Sequence, residues 1–393
     1  MTRKKIETKH PGIMDSLVFR GSLPGIPPIL LPVTESPPRA WAEINLDALR
    51  ANLRIAREQS RKEVMAVIKG GAYGHGLEEI ARALDSENLP YLGVANAGEA
   101  RRLFNAGIKT RPYILGATLP SEREEIAGRH WTPCLCSFEE IAHFNSLGQG
   151  DPVQAHLALD TGMGRGGFLP DQLKPALEKI AASPGIKMTG VGSHLPVADE
   201  DPVFTRSQFE LFDSLVKAIP KRPPDFQVHL SNSAGLLDFH SETTNIVRPG
   251  LLLYGISPIP SHQDLLTPVM TLKSRVSLVN HLPKGHGVSY GRTLLTRDTK
   301  AAVLGLGYGD GYPRALSGKE TFVLIKGHPC PLLGRVTMDQ IIVDATDLPD
   351  CQAGDEAELF GPNLLVSDLA SKAGTIPWEI LTQITPRVTR LYR

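Results

Sequence analysis

Hydrophobic positions change their spacing twice along the chain. From Ala40 to about Pro260, short apolar runs alternate with stretches whose apolar residues recur every three or four positions. Leu46, Leu49, Leu53 and Ala56 form the first such stripe, the spacing of one helix face. Strand-like runs follow at 64–68, 91–95, 113–115, 133–136, 153–159, 188–193, 226–230 and 246–254, with helical stretches such as 98–105, 171–182 and 203–218 between them. Strands separated by helices predict a parallel α/β architecture, and eight of them predict a closed (β/α)8 TIM-type barrel over residues 39–262. After about Pro260, alternating runs at 270–279, 301–305, 321–325 and 340–343 are broken by Gly, Pro and Asp, and few helical patterns remain before the C-terminus. This texture predicts a separate, mostly β, antiparallel domain over residues 263–393.

Residues 1–38 follow neither pattern. They open with MTRKK, and no apolar core of signal-peptide length follows. The apolar stretch 29–33 is short and flanked by prolines. Pro24, Pro27, Pro28, Pro32, Pro37 and Pro38 predict a Pro-rich N-terminal extension, flexible or packed on a neighbour. No run is long enough to span a bilayer, so no membrane partner is expected.

A length of 393 residues agrees with two hydrophobic cores. The 42 basic and 42 acidic side chains cancel, leaving no field to attract nucleic acid or an acidic membrane surface. Cys134, Cys136, Cys330 and Cys351 show neither paired metal-ligand spacing nor a dense disulfide pattern. They read as buried thiols of a reducing compartment, and the expectation is a cytoplasmic protein without a metal.

In barrels of this kind the chemistry sits at the C-terminal ends of the strands. That rule selects Lys69, Asp160, His194, Ser233 and Arg248. Lys69 ends an apolar run and is followed by GGAYGHG, a place where burial lowers an amine's pKa and equips it to form a Schiff base. A lysine that snorkels to solvent at a strand edge is the plainer reading. Taken singly, Ser233 is a helix N-cap, His194 a core histidine, Arg248 a surface cap on a strand, and Tyr290 an aromatic turn residue.

The neighbouring residues supply context. AVIKGGAYGHG (66–76), DTGMGRGG (160–167), SHLPVAD (193–199), SNSAG (231–235), VRPGLLLYG (247–255), VSYGRT (288–293), GYGDGYPR (307–314), GRVTMDQ (334–340) and TIPWEI (375–380) occur in this order. Together they resemble the signature blocks of the alanine racemase family, from about Arg39 to the C-terminus. The resemblance implies a pyridoxal 5′-phosphate enzyme that interconverts L-alanine and D-alanine with two bases and supplies D-alanine for peptidoglycan. Lys69 would carry the cofactor and serve as base on one face of the amino-acid substrate. Tyr290, from the other subunit of a homodimer with shared active sites, would serve on the opposite face.

By the same resemblance, Arg248 faces the pyridine nitrogen, and His194 links Arg248 to Tyr290. Tyr73, Ser233 and the backbone at Gly250 and Leu251 hold the phosphate. Arg165 approaches the cofactor's phenolic oxygen and the substrate, while Met338 and Asp339 close the substrate pocket from the partner subunit. Tyr308, Arg314, Arg335 and Asp199 match an entry corridor. Three positions depart from the family pattern. Ala158 stands where a lysine, frequently carbamylated, is usual. Trp378, after Pro377, replaces a tyrosine that helps position the phosphate and the catalytic phenol. Gly70–Gly71 replaces Ala-Asn and is expected to loosen the loop after Lys69.

Other functions compatible with a lysine-bearing barrel are a decarboxylase of basic amino acids and a non-catalytic pyridoxal phosphate carrier. The first is not expected to combine VSYG with GRVTMDQ, and the second would lack the C-terminal domain. A racemase acting on serine or a broader set of amino acids stays open.

Overall fold

The computed structural model describes residues 37–393. The Pro-rich extension expected over 1–38 therefore lies, but for its last two residues, outside the described residues. The first strand, β1 (Ala40–Ile44), is followed by β2 (Glu63–Val64), β3 (Ala66–Val67), β4 (Leu92–Val94), β5 (Pro112–Ile114) and β6 (Thr132–Leu135). Next come β7 (Val153–Ala158), β8 (Ile186–Gly192), β9 (Gln227–His229) and β10 (Ile246–Val247).

β2 to β10 form one parallel sheet, ordered β2-β10-β9-β8-β7-β6-β5-β4-β3. β2 and β3 are two halves of a single run interrupted at Met65. On one side of that run the N–H groups of Met65 and Val67 donate to Val247 and Pro249. On the other, Ile68 donates to Gly93. The run thus joins both ends of the sheet and closes an eight-stave barrel.

Both faces of such a strand are covered, which explains the unbroken apolar run from Val64 to Ile68. Met65, Tyr91, Tyr113, Cys134, Ala158 and Ile246 form a small cluster of their own, packed with the rings of His156 and His229. The larger apolar core contains the stripe Leu49, Leu53 and Ala56 of the helix Leu46–Ser60. Buried Asn52 on that helix donates to the carbonyls of Leu253 and Thr267, so the first helix is pinned to the chain leaving the barrel.

The second sheet comprises β11 (Met270–Leu282), β14 (Thr299–Leu304), β15 (Phe322–Ile325), β16 (His328–Leu333), β17 (Ile341–Asp344), β18 (Glu356–Phe360) and β19 (Thr389–Tyr392). β12 (Gly287–Val288) and β13 (Thr293–Leu294) form a separate hairpin. The order β14-β17-β16-β15-β18-β11, with a further β11–β14 pairing, makes a closed, mostly antiparallel ring. β11 is long enough to pair with β18 near its start and with β14 along the rest.

Two local expectations differ from the structure. β1 opens the segment assigned to the barrel, yet it pairs antiparallel with β11 and parallel with β19 in the second sheet. The run 246–254 is a strand only at β10; Leu251–Tyr254 is a 3-10 turn. Pro249 has no N–H to continue a ladder, and Gly250 turns the chain at φ −114 and ψ −87.

Candidate active site

The C-terminal ends of the barrel strands surround a cavity of about 980 Å³. Lys69, Tyr73, Arg165, His194, Ser233, Arg248, Gly250, Leu251 and Trp378 all line it. Asp160, selected by the same strand-end rule, does not. Its Oδ1 accepts hydrogen bonds from the N–H groups of Gly162 and Met163 at 2.8 and 2.9 Å, folding the loop that carries Arg165.

Lys69 directly follows the central barrel run and opens an unusual turn. Gly70, Gly71, Ala72 and Tyr73 are all left-handed, with φ of 65, 62, 56 and 53. Glycine adopts this conformation without a Cβ penalty, so Gly70 and Gly71 relieve strain that Ala72 and Tyr73 retain. The Gly71 N–H donates to Glu99 Oε1 at 3.1 Å, tying the turn to a neighbouring helix. Burial lowers the pKa of the Lys69 amine, and the nearby charges of Arg165 and Arg248 lower it further, against an opposing pull from Glu99.

The turn brings Tyr73 back into the wall, where its ring stacks on Tyr254 at 4.8 Å. Its hydroxyl lies so close to Gly250 that a Cβ there would sit 2.2 Å from Oη. Ser233 Oγ accepts from the Gly250 N–H at 3.0 Å and from the Leu252 N–H at 3.3 Å. Glycine at 250 thus lets the hydroxyls of Tyr73 and Ser233 share one part of the cavity lining with main-chain polar groups. This donor set suits a phosphate monoester. A partly desolvated lysine amine in the same cavity suits an aldehyde. The residues present fit pyridoxal phosphate.

Arg248 is 6 % exposed and, among the described residues, meets no carboxylate. Its Nη2 donates to the carbonyls of Ser193 (2.5 Å) and Leu230 (3.1 Å) and lies 3.2 Å from His194 Nδ1. Its Nη1 lies 2.5 Å from His229 Nδ1, and His229 Nε2 lies 2.8 Å from His156 Nδ1. Guanidinium only donates, so His194 and His229 must accept at Nδ1 and carry their protons on Nε2. His229 then donates onward to His156. Burial, reinforced by Arg248, holds all three rings neutral: His156 and His194 are pushed down to about 3, and His229 well below its usual value. Gly192 is required here, because a Cβ would lie 2.1 Å from the His229 ring.

His229 and His156 escaped the sequence reading. His229 ends its strand and was accessible to the strand-end rule; His156 sits mid-strand in VQAHLA, where polarity carries no signal. Ala158 and Cys136 line the cavity near Arg165. The Cys136 thiol is pushed upward by its hydrogen bond to Cys134 and by burial, so it offers Arg165 no negative charge.

Three expected site residues lie elsewhere. Tyr290 is 73 % exposed in the turn joining β12 and β13, and Met338 is 52 % exposed. Asp339 is exposed and pairs with Arg387 at 2.7 Å. None of the three lines the cavity of its own chain. Among the described residues, no group of three or more His, Cys, Asp or Glu is arranged to hold a metal.

Fold and cavity together place a lysine amine, two guanidinium groups and two hydroxyls around one pocket at the C-terminal ends of the strands of a parallel barrel. Two family models match the chain: the alanine racemase N-terminal domain over residues 44–258 and the alanine racemase C-terminal domain over 269–392. Alanine racemase of Methylacidiphilum infernorum is 40% identical over 368 residues, covering 91% of this chain and 93% of that protein. The enzyme of Halothermothrix orenii is 37% identical over 369 residues, covering 90% and 96%. Among solved structures, alanine racemase of Clostridium difficile 630 superposes with a TM-score of 0.83 at 33% identity, covering 91% of this chain and 97% of that one. The alanine racemase of Bartonella henselae with covalently bound pyridoxal phosphate gives 0.83 at 30% identity, covering 91% and 100%. The chain belongs to the alanine racemase family. It is an isomerase of the amino-acid racemase class.

Proposed function

We propose that this chain interconverts L-alanine and D-alanine, with pyridoxal 5′-phosphate held by Lys69, in a homodimer whose two subunits share each site. The observation that carries the reading is the convergence of Lys69, Tyr73, Arg165, His194, Ser233 and Arg248 on one cavity. When bound, the cofactor supplies an electron sink that acidifies the α C–H bond of an amino acid.

The remaining work falls to side chains. Tyr73, Ser233 and the backbone at Gly250 and Leu251 hold the phosphate, and Trp378 walls the pocket opposite. Lys69 Nζ, its pKa lowered by burial first, takes or returns the α-proton on one face of the substrate. Arg248 cannot give up a proton, so a ring nitrogen facing it stays unprotonated. His194 accepts from Arg248 at Nδ1 and presents its Nε2–H to the cavity. That donor suits the phenol oxygen of the partner subunit's Tyr290, which serves the other face of the α-carbon. Arg165 orients the substrate, with Met338 and Asp339 of the partner subunit closing the pocket. High exposure of Tyr290 and Met338 within one chain agrees with their use by another.

We take residues 39–262 as the barrel unit and 263–393 as the β unit, with β1 lent to the second sheet. No helix among the described residues is long and apolar enough to cross a membrane, and we assign the enzyme to the cytoplasm, where D-alanine would enter peptidoglycan synthesis. The test is incubation of the pyridoxal phosphate-loaded protein with L-alanine or D-alanine and chiral separation of the products. Both reactions should approach the same mixture; an unchanged enantiomer in either would overturn the reading. Serine is the second substrate to measure, because Trp378 in the cavity wall replaces the family's tyrosine. Trp378→Tyr should raise the alanine-to-serine ratio of kcat/KM.

A further inference from the structure

The turn that presents Lys69 and Tyr73 is held from outside the barrel by the last strand of the chain. Arg390, on β19, donates Nε–H and Nη2–H to the Gly74 carbonyl at 3.2 and 2.9 Å. Nη2 also donates to Ile384 O at 2.6 Å, and Nη1 to Thr385 O and Val388 O at 2.6 and 2.7 Å. Among the described residues, the guanidinium therefore sits among four main-chain carbonyls and pairs with no carboxylate. The turn's strain and its place beside the tryptophan helix both call for such a device here.

First, four consecutive left-handed residues are strained at Ala72 and Tyr73, which carry side chains. The turn's own bonds, Ala72 N–H to Ile68 O and Gly74 N–H to Gly70 O, leave the Gly74 carbonyl pointing away to be satisfied elsewhere. Second, three of the four carbonyls belong to residues 384–388, just beyond the helix Pro377–Gln383. That helix carries Trp378, on the same cavity wall system as Lys69. Arg390 consequently bridges the lysine turn and the tryptophan helix.

The fit between the two is close. A Cβ on Gly74 would lie 2.0 Å from the Leu381 carbonyl of that helix, and one on Gly76 would lie 1.9 Å from Tyr392 Oη. Tyr392 itself donates to the His75 carbonyl at 3.1 Å. His75 is fully buried, with Nδ1 at 3.0 and 2.9 Å from the carbonyls of Ala72 and Tyr73.

We propose that Arg390 is a positioning residue for the cofactor lysine, locking the left-handed turn that presents Lys69 and Tyr73 against the helix that carries Trp378. Arg390 does not line the cavity and touches no reacting atom, so it acts only through the turn. The proposal rests on Lys69 being the cofactor lysine, but amide exchange in the cofactor-free chain reads the turn whatever Lys69 does.

The experiment uses full-length Arg390→Gln and Arg390→Lys. Pyridoxal phosphate affinity is read from the absorbance of the lysine-bound cofactor, and hydrogen exchange is followed across residues 69–76 in the cofactor-free protein. Arg390→Gln should weaken cofactor binding about tenfold and speed exchange over 69–76, while β7 and β8 keep wild-type protection. Arg390→Lys, with one compact cation in place of a planar fork, should fall between. Arg393→Gln, one residue past the end of the same strand and paired with Glu43, should match wild type. Wild-type affinity and wild-type exchange in Arg390→Gln would overturn the proposal. So would a rise in exchange spread evenly over the barrel, which marks a general structural role. Should Arg390→Gln fail to fold, Arg390→Lys decides: unchanged affinity and exchange would overturn the assignment.

Discussion

Arg248 Nη1 lies 2.5 Å from Nδ1 of His229, and that contact fixes the protonation of a chain of groups running into the barrel. A buried guanidinium without a carboxylate needs neutral acceptors, and His229 is one only while its proton stays on Nε2. His156 receives that proton's hydrogen bond in turn.

Acid should undo this arrangement. His156 and His194 are held down to about 3 and His75 to about 4, each chiefly by burial. Between their ordinary value near 6.5 and those depressed values, the unfolded chain binds protons that the native chain refuses. Stability is therefore fully present above about pH 6.5 and falls as pH drops through the window toward 3, by about 1.4 kcal/mol per pH unit for each ring. Urea unfolding midpoints measured from pH 7 to 4 should decline, and His156→Gln should flatten the decline. Parallel curves for the two proteins would mean that His156 titrates normally.

Removing the acceptor itself should destabilise the fold even at neutral pH, where the histidine titrations contribute nothing. His229→Leu strands one face of Arg248 and should destabilise the fold by about 2 kcal/mol, whereas His229→Gln, which retains an acceptor oxygen, should recover most of it. Equal losses would point to packing instead of hydrogen bonding.

How much of this was readable beforehand depends on whether the cause is local. The stripe Leu46, Leu49, Leu53 and Ala56 and the run 64–68 were legible because burial of one helix face or of both strand faces leaves a periodic mark. The membership of Ala40–Ile44 in the second sheet was not, since its partners lie at 270–274 and 389–392 and pairing across that distance has no local signature. Leu251–Tyr254 misled for a different reason: a short apolar run looks alike in strand and turn, and Pro249–Gly250 was the only breaker. In the site, motif blocks located the cavity residues, but nothing in GHG (74–76) or RLY (390–392) announced that Arg390 and Tyr392 grip Gly74 and His75.

The proposed sharing of each site between two subunits makes its own prediction. Lys69→Ala and Tyr290→Phe should each be nearly inactive as pure dimers. After mixing under conditions that exchange subunits, hybrid dimers should regain one complete site, up to a quarter of wild-type activity if exchange is random (~0.25 by symmetry). No recovery despite demonstrated exchange would mean that each chain completes its own site.

The replacement at Ala158 should appear as an anion effect. Arg165 lines the cavity together with Ala158 and a protonated Cys136, neither of which supplies a charge, so its guanidinium is open to any small anion that reaches it. Activity at constant ionic strength should rise when a chloride salt replaces a salt of a large, excluded anion. Ala158→Glu, which supplies a charge, should lose that response. A variant as chloride-dependent as wild type would place the anion elsewhere.

Peptide mapping after reduction reads directly whether Lys69, at the mouth of the barrel, holds the cofactor as proposed. Borohydride treatment of the pyridoxal phosphate-loaded protein, followed by proteolysis and mass spectrometry, should place a single phosphopyridoxyl group on the peptide containing Lys69. The group on any other lysine, or none with cofactor demonstrably bound, would contradict the account.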